Sequence, residues 1–301
     1  MKKGYKRLAI IGGALLLVGI FFTAIGLALG GHHRLSIGPS GIVVGSGDFF
    51  EKTQEFTNIQ NLTLDVQAAN INFIESDTYR IEYGYHETDQ ITLNEKDGHV
   101  AITGKHQNRF WLFHFSWFRS TETTNYINIY YPKDSHFEKI EITSDVGEIA
   151  FDHTNIDTLT LNSDIGSVTI KNTYIGSADF DLDLGSLEMN DSTLNHTDID
   201  LQLGSLEMLH TISSDLDVSL SMGDATIIGT LYGTHEIDCS MGDVDITIEG
   251  SEENYRYELS TSLGSTFINQ ESVSNHTSKK DGQYFIKITN SMGDSSLNFN
   301  Y

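Results

Sequence analysis

The chain has 301 residues, 39% hydrophobic and 20% charged, ample for one or two folded units, and its two prolines against 27 glycines fit strands and turns rather than a disordered chain. Its formal charge of −24 argues against nucleic acid or anionic lipid as a partner and favours cations or basic partners. The single cysteine, Cys239, excludes an intramolecular disulfide framework.

Residues 8–29 are almost wholly apolar and follow Lys2, Lys3, Lys6 and Arg7. The stretch reaches the roughly 20 residues a bilayer span requires and exceeds the usual core of a cleaved signal. Residues 1–30 therefore read as a basic cytoplasmic flank and a transmembrane signal anchor. Everything after Gly30 is then extracellular on a single-pass protein of the cell membrane. A signal peptide cut near Ala28 is the rival reading. Gly26 and Gly30 form a GxxxG pair, so a homodimer through this helix is one expected partnership. Residues 31–55, rich in Gly and Ser and without a sustained period, read as a juxtamembrane linker. The adjacent His32 and His33 lack a third ligand for a metal.

Residues 56–137 read as a degenerate first coil and a cap. Leu62, Leu64 and Val66 match Leu159, Leu161 and Ser163 of a later repeat, with Ala69 where the repeat has Gly166. Strand-like runs at 80–85, 90–93 and 99–105 follow, as expected for an atypical terminal unit. Next comes an aromatic loop containing Arg109, Phe110, Trp111, Phe113, Phe115, Trp117, Phe118 and Arg119. Either these rings close the end of the solenoid, or they form an exposed patch that touches membrane or a partner.

From residue 138 to 301 one phrase recurs. Gly147, Gly166, Gly185, Gly204, Gly223 and Gly242 are 19 residues apart, and Gly264 and Gly293 follow after spacings of 22 and 29. Apolar residues recur seven, five, three and one before the glycines, as in Leu216, Val218, Leu220 and Met222, then two and four after them, as in Leu187 and Met189. That is period-two alternation whose parity changes at the glycine, so the chain turns or bulges there. The glycines are explained by tolerance of positive φ. A fixed period of this length implies a solenoid. The fold class is all-β: a parallel β-solenoid of 19-residue coils with an N-terminal β cap, preceded by one transmembrane helix. Cys239 falls in an inward column as a buried structural thiol.

The outward positions carry acid. Asp179, Asp198, Asp217, Glu236 and Glu258 form one column, Asp181, Asp200 and Asp238 a second, and Asp183 adds to them. Neighbouring unit charges a strand spacing apart repel by roughly 0.9 kcal/mol in water. Calcium between Asp179, Asp181, Asp183, Asp198 and Asp200 would relieve this as a nonspecific cation surface. Solvated faces are the default, and no cofactor is expected. The chain contains no HExxH, no phosphate-binding glycine loop, no CxxC and no Ser-His-Asp order at a recognised spacing, so catalytic residues are not assigned.

The Met-Gly-Asp and Leu-Gly-Ser phrases, the strand Ile127 to Lys133, the aromatic loop and the anchor together resemble a β-strand-repeat family of candidate adhesins of unknown function, common in Gram-positive bacteria. The resemblance implies a surface β-solenoid with a non-catalytic envelope role and assigns no site residues. The sequence thus predicts a binding, adhesin-like or scaffolding surface, with an envelope protein or wall polymer as partner and no nucleic acid. Regulation of an envelope-stress sensor is the alternative, followed by a carbohydrate-active β-helix enzyme.

Overall fold

The computed structural model describes residues 49–86, 89–106 and 124–300. It also gives the strand backbone of Arg34–Gly38, Gly41–Gly45 and Phe113–His114 and a helical residue at Gly19. Apart from Gly19 the anchor predicted over residues 1–30 lies outside the described residues. Among those described, no helix is long and apolar enough to cross a membrane. The chain divides into two units. In the smaller, residues 1–48 and 108–122, Arg34–Gly38 pairs antiparallel with Gly41–Gly45, and Ser36 and Ile37 pair with His114 and Phe113. The remaining aromatic-loop residues, Arg109, Phe110, Trp111, Phe115, Trp117, Phe118 and Arg119, lie outside the described residues.

The linker predicted over 31–55 therefore contains strands, and a third, Phe49–Phe56, belongs to the larger unit. That strand pairs on one side with Tyr79–His86, and its Glu51 to Glu55 are exposed. An edge strand with no buried face carries no apolar alternation, so the sequence pattern missed it.

The larger unit is the β-solenoid. Strands stack parallel and in register, so residues 19 apart become neighbours, as in Leu161, Phe180 and Ile199. These three, like Val168, Leu187 and Leu206 after the glycine, are at most 1% exposed. Each such side chain contributes roughly 1.5–3 kcal/mol of transfer free energy. The strand before the glycine and the strand after it form two faces of one column, meeting at the glycine corner. Corrected here is the position just before each glycine, which is not inward: Leu184 and Leu203 are about half exposed. The last buried position before the glycine and the first after it are five apart in sequence, as Leu182 and Leu187 are. The chain therefore drops one beat of its alternation there, and the apolar residue at minus one turns outward.

The glycines have a second reason beyond φ. Gly185 and Gly204 are not among those with φ in the left-handed range, whereas Gly223 and Gly242 are, at 143° and 144°. In all of them a Cβ would collide with the carbonyl oxygen of the glycine one rung earlier, Gly204 against Gly185 and Gly223 against Gly204. Close rung-to-rung approach imposes the residue even where φ does not.

The return corner is built from a left-handed residue followed by a buried hydroxyl. His153, Asn172, Asp191 and His210 have φ of 49–56°, a conformation short polar side chains tolerate. Thr154, Thr173, Ser192 and Thr211 follow, each at most 2% exposed. Thr154 donates its amide to Thr173 Oγ1 at 3.3 Å, and Thr173 its own to Ser192 Oγ at 3.2 Å. The hydroxyls donate to carbonyls two residues back, Thr173 to Lys171 at 2.7 Å and Ser192 to Asn190 at 2.8 Å. Turn amides that would otherwise be orphaned are thus satisfied inside the column. Tyr131 closes this ladder, its hydroxyl donating to Asp152 O at 2.6 Å and lying 2.9 Å from Thr154 Oγ1. Burial pushes its pKa up to about 12.

At both ends the rung order departs from the chain order. The first coil, Asn61–Ala68 and Asn70–Ser76, is not at the edge: His99–His106 and Tyr126–Pro132 lie outside it, parallel. Asp89–Lys96 and Tyr79–His86 then add antiparallel strands to those two, which is the predicted cap. At the far end the rung after Gly242 is not the next in sequence. Tyr284–Met292 pairs with Thr234 to Cys239 on one side and with Tyr255–Leu263 on the other. The stacking order is therefore Gly242, Gly293, Gly264. The intervening excursion supplies Glu271–Val273 and His276–Lys279, which pair antiparallel with the outermost rung. The loop thus covers that edge.

Candidate binding surface

The predicted acidic columns stand on the strand preceding the glycine, with Asp179 beside Asp198, Asp181 beside Asp200, and Asp217 beside Glu236. Asp217 and Asp181 have pKa values raised first by burial. Neighbouring carboxylates raise them further, Asp198 and Glu236 for Asp217, Asp183 and Asp200 for Asp181. Asp179, Asp198, Asp217 and Glu236, with His196 and Asp215 beside them, line an open concavity of about 530 Å³. His196 Nδ1 lies 3.3 Å from Asp215 Oδ2. Asp179, Asp181, Asp183, Asp198 and Asp200 form parallel rows rather than a cage, and Asp183 is engaged by the side-chain amide of Gln202. Among the described residues no three His, Cys, Asp or Glu side chains are placed to hold a metal.

Rung insertion changes the longest column. Glu236 and Glu258 are not neighbours, because Lys287 sits between them in register and makes an ion pair with Glu236. That hydrogen bond raises the lysine's pKa. In chain order Lys287 would follow Glu258 at the end of the column; the inserted rung places it between the two acids.

The aspartates of the Met-Gly-Asp phrases act between rungs. Asp224 Oδ1 accepts the Asp243 amide at 2.9 Å, Asp243 Oδ1 accepts that of Asp294 at 2.7 Å, and Asp294 Oδ1 accepts that of Ser265 at 2.8 Å. Between two of the serine phrases a hydroxyl bond takes this place, Ser186 donating to Ser167 at 3.1 Å. Cys239 is 2% exposed, with Sγ 3.7 Å from the carbonyls of Gly223 and Gly242. Burial raises its pKa, which disfavours the nucleophilic thiolate.

The feature the alternation concealed is a ridge. Val146, Ile165, Leu184, Leu203, Met222, Met241, Met292 and Leu263 stack in that order along the glycine corner, each between 42% and 64% exposed. At about 4.8 Å per rung the eight span about 34 Å. The signal was present in the sequence: an odd spacing of five between inward positions leaves one apolar residue out of phase.

Open strand faces carrying like side chains in ladders define a surface-presenting parallel β-solenoid. The chain belongs to the Toastrack DUF4097 family, whose profile matches residues 59–298, in agreement with the resemblance read from its repeats. Among solved structures, a candidate adhesin from Bacteroides fragilis is 12% identical, with a TM-score of 0.47 over 85% of this chain and 98% of its own. A candidate cell adhesion protein from Clostridium sporogenes is 12% identical, with a TM-score of 0.29 over 84% of this chain and 100% of its own. A candidate lipid binding protein from Parabacteroides distasonis, also 12% identical, has a TM-score of 0.38 over 85% and 98%. No curated protein matches the chain.

Proposed function

We propose that this chain is a single-pass membrane protein whose exported solenoid is a non-catalytic, adhesin-like binding or scaffolding surface in the cell envelope. The observation that carries the reading is the ridge. Eight large apolar side chains left half in water on a folded chain mark an interaction site, because soluble surfaces rarely keep such stripes uncovered. The apolar stretch over residues 8–29 supports the anchor, and the net charge of −24 supports a partner that is not anionic.

A photo-crosslinking side chain at Ser205, beside the ridge, tests the surface in intact cells. Capture of one envelope component, absent when the crosslinker replaces Asn162 on the neighbouring face, is expected. Uniform or no capture overturns the reading. Protease added outside intact cells should remove everything beyond Gly30 while the N-terminus stays with the membrane. Replacing Asp181 and Asp183 with Ala should leave wall polysaccharide turnover unchanged.

A further inference from the structure

The ridge has flanks, and they are acidic. Just before it run Asp145, Asp164 and Asp183, and just after it Asp224, Asp243 and Asp294, all exposed or half-buried. None of the eight phrases, from three residues before each glycine to two after it, contains a lysine or arginine. One half of the ridge is branched, Val146 to Leu203, and the other is led by Met222, Met241 and Met292, whose unbranched side chains adapt to varied apolar shapes.

We infer that the ridge is a docking site for a cationic amphipathic polypeptide segment, which lays its apolar stripe along Val146 to Leu263 and its lysines or arginines over the flanking carboxylates. This rests on reading the solenoid as a binding surface and names what that surface receives. Charge complementarity selects the occupant. A second copy would bring further carboxylates against these acidic flanks, a juxtaposition that costs affinity. An anionic membrane meets the same repulsion. A cationic segment gains on both counts, burying apolar area while neutralising two carboxylate rows. About 22 residues of helix, rising about 1.5 Å each, match the ridge in length.

The test uses the full-length protein and a fluorescent synthetic peptide of about 22 residues, Leu and Lys in amphipathic order. The same pattern in Leu and Glu is the control. The Leu/Lys peptide should bind, more weakly as salt rises, and the Leu/Glu peptide should not. The double variant Leu184→Ser with Leu203→Ser changes exposed positions only and should keep the wild-type melting temperature while binding about tenfold more weakly. Met222→Ser with Met241→Ser should do likewise, and Ile212→Ser, exposed away from the ridge, should bind as the wild type does. Equal binding by the ridge variants, or equal binding of both peptides, overturns the proposal. So does ridge-dependent dimerisation in sedimentation, which makes the occupant a second copy, or ridge-dependent flotation with phosphatidylcholine vesicles, which makes it lipid. If the peptide fails to bind but crosslinks in cells still vanish with Leu184→Ser and Leu203→Ser, the partner class is wrong and the binding surface stands. If neither changes, both fall.

Discussion

The middle of the solenoid and its two ends solve different problems with the same strands. Between Gly147 and Gly242 every rung lies next to its neighbour in sequence, and the register slips only at the bulges flanking Thr211 to Ser214. A periodic sequence propagates this way but has no means of stopping, since each rung leaves an open edge of unpaired amides and carbonyls. At the ends the chain breaks order. The first coil is overlaid by His99–His106 and Tyr126–Pro132, and the last-made coil, Tyr284–Met292 with Ser295–Asn300, fills a gap left between two earlier rungs. Neither edge is then a bare copy of the repeat, and the final coil cannot fray without breaking ladders on both sides.

The largest effect should come from removing the fill. Ending the chain after Gly282 deletes one rung but leaves Tyr255–Leu263 and Thr266–Ile268 without the parallel partners they have now. Limited proteolysis should then cut back to about Gly250, one rung further than the deletion. A cut confined to the new terminus would show that the outer rung stands alone and the inserted order adds nothing.

Next in size is the glycine corner, where middle and end differ again. Gly204→Ala drives a Cβ into the Gly185 carbonyl and should cost about 3 kcal/mol by denaturant unfolding. The first rung already carries Ala69 at this position, 2% exposed. The collision always points to the preceding rung, and the segments outside Ala69, His99–His106 and Tyr126–Pro132, form no continuous glycine turn. Ala69→Gly should therefore cost less than about 1 kcal/mol. Equal costs at both positions would remove the stacking explanation.

His235, on the last regular rung, is fully buried at 0% exposed. Its Nδ1 accepts the Leu216 amide at 3.2 Å and its Nε2 donates to Tyr232 O at 2.7 Å, an arrangement that requires the neutral ring. Burial lowers its pKa from 6.5 to about 4. Between those values the unfolded chain takes up a proton that the folded chain refuses. Stability present at neutral pH is thus lost as pH falls from 6.5 towards 4, by at most about 3 kcal/mol. Asp181 and Asp217, with raised pKa values, oppose this, since the folded state holds their protons to higher pH. His235→Leu should cost about 1–3 kcal/mol at neutral pH by orphaning the Leu216 amide. It should also flatten or reverse the fall in melting temperature on acidification. An unchanged acid slope would clear His235 of the role.

The sequence made the middle legible because its information is local and repeated. Leu161, Phe180 and Ile199 declare an inward column by spacing alone, and Ala69 marks the first coil despite losing the glycine. Neighbour order at the ends was not legible. Nothing in the segment around Lys287 distinguishes a rung that follows Gly264 from one that slips in ahead of it, because every coil presents the same pattern. The ridge was misassigned for a related reason: strict alternation carried Leu184 and Leu203 inward, and only the shift at the glycine sends them out. Exposed strands such as Phe49–Phe56 left no pattern, since burial is what writes one.

Lys287 gives the smallest effect and the sharpest test of the inserted order. In sequence order Glu236 and Glu258 would belong to adjacent rungs and repel; in the observed order a lysine separates them and pairs with Glu236. Both partners are more than a third exposed, so the pair should contribute less than about 1 kcal/mol. Lys287→Gln should lower the melting temperature slightly in low salt, and the difference should shrink once the Debye length falls to about 3 Å near 1 M salt. Lys171→Gln makes the same charge change on the other strand of its rung, where Asp152 and Asn190 are its rung neighbours. If Lys287→Gln and Lys171→Gln respond alike, the lysine is not held between two acids and the crossover at the C-terminal end is wrong. A salt-sensitive loss confined to Lys287→Gln would place Tyr284–Met292 in the slot from charge alone, independently of any backbone measurement.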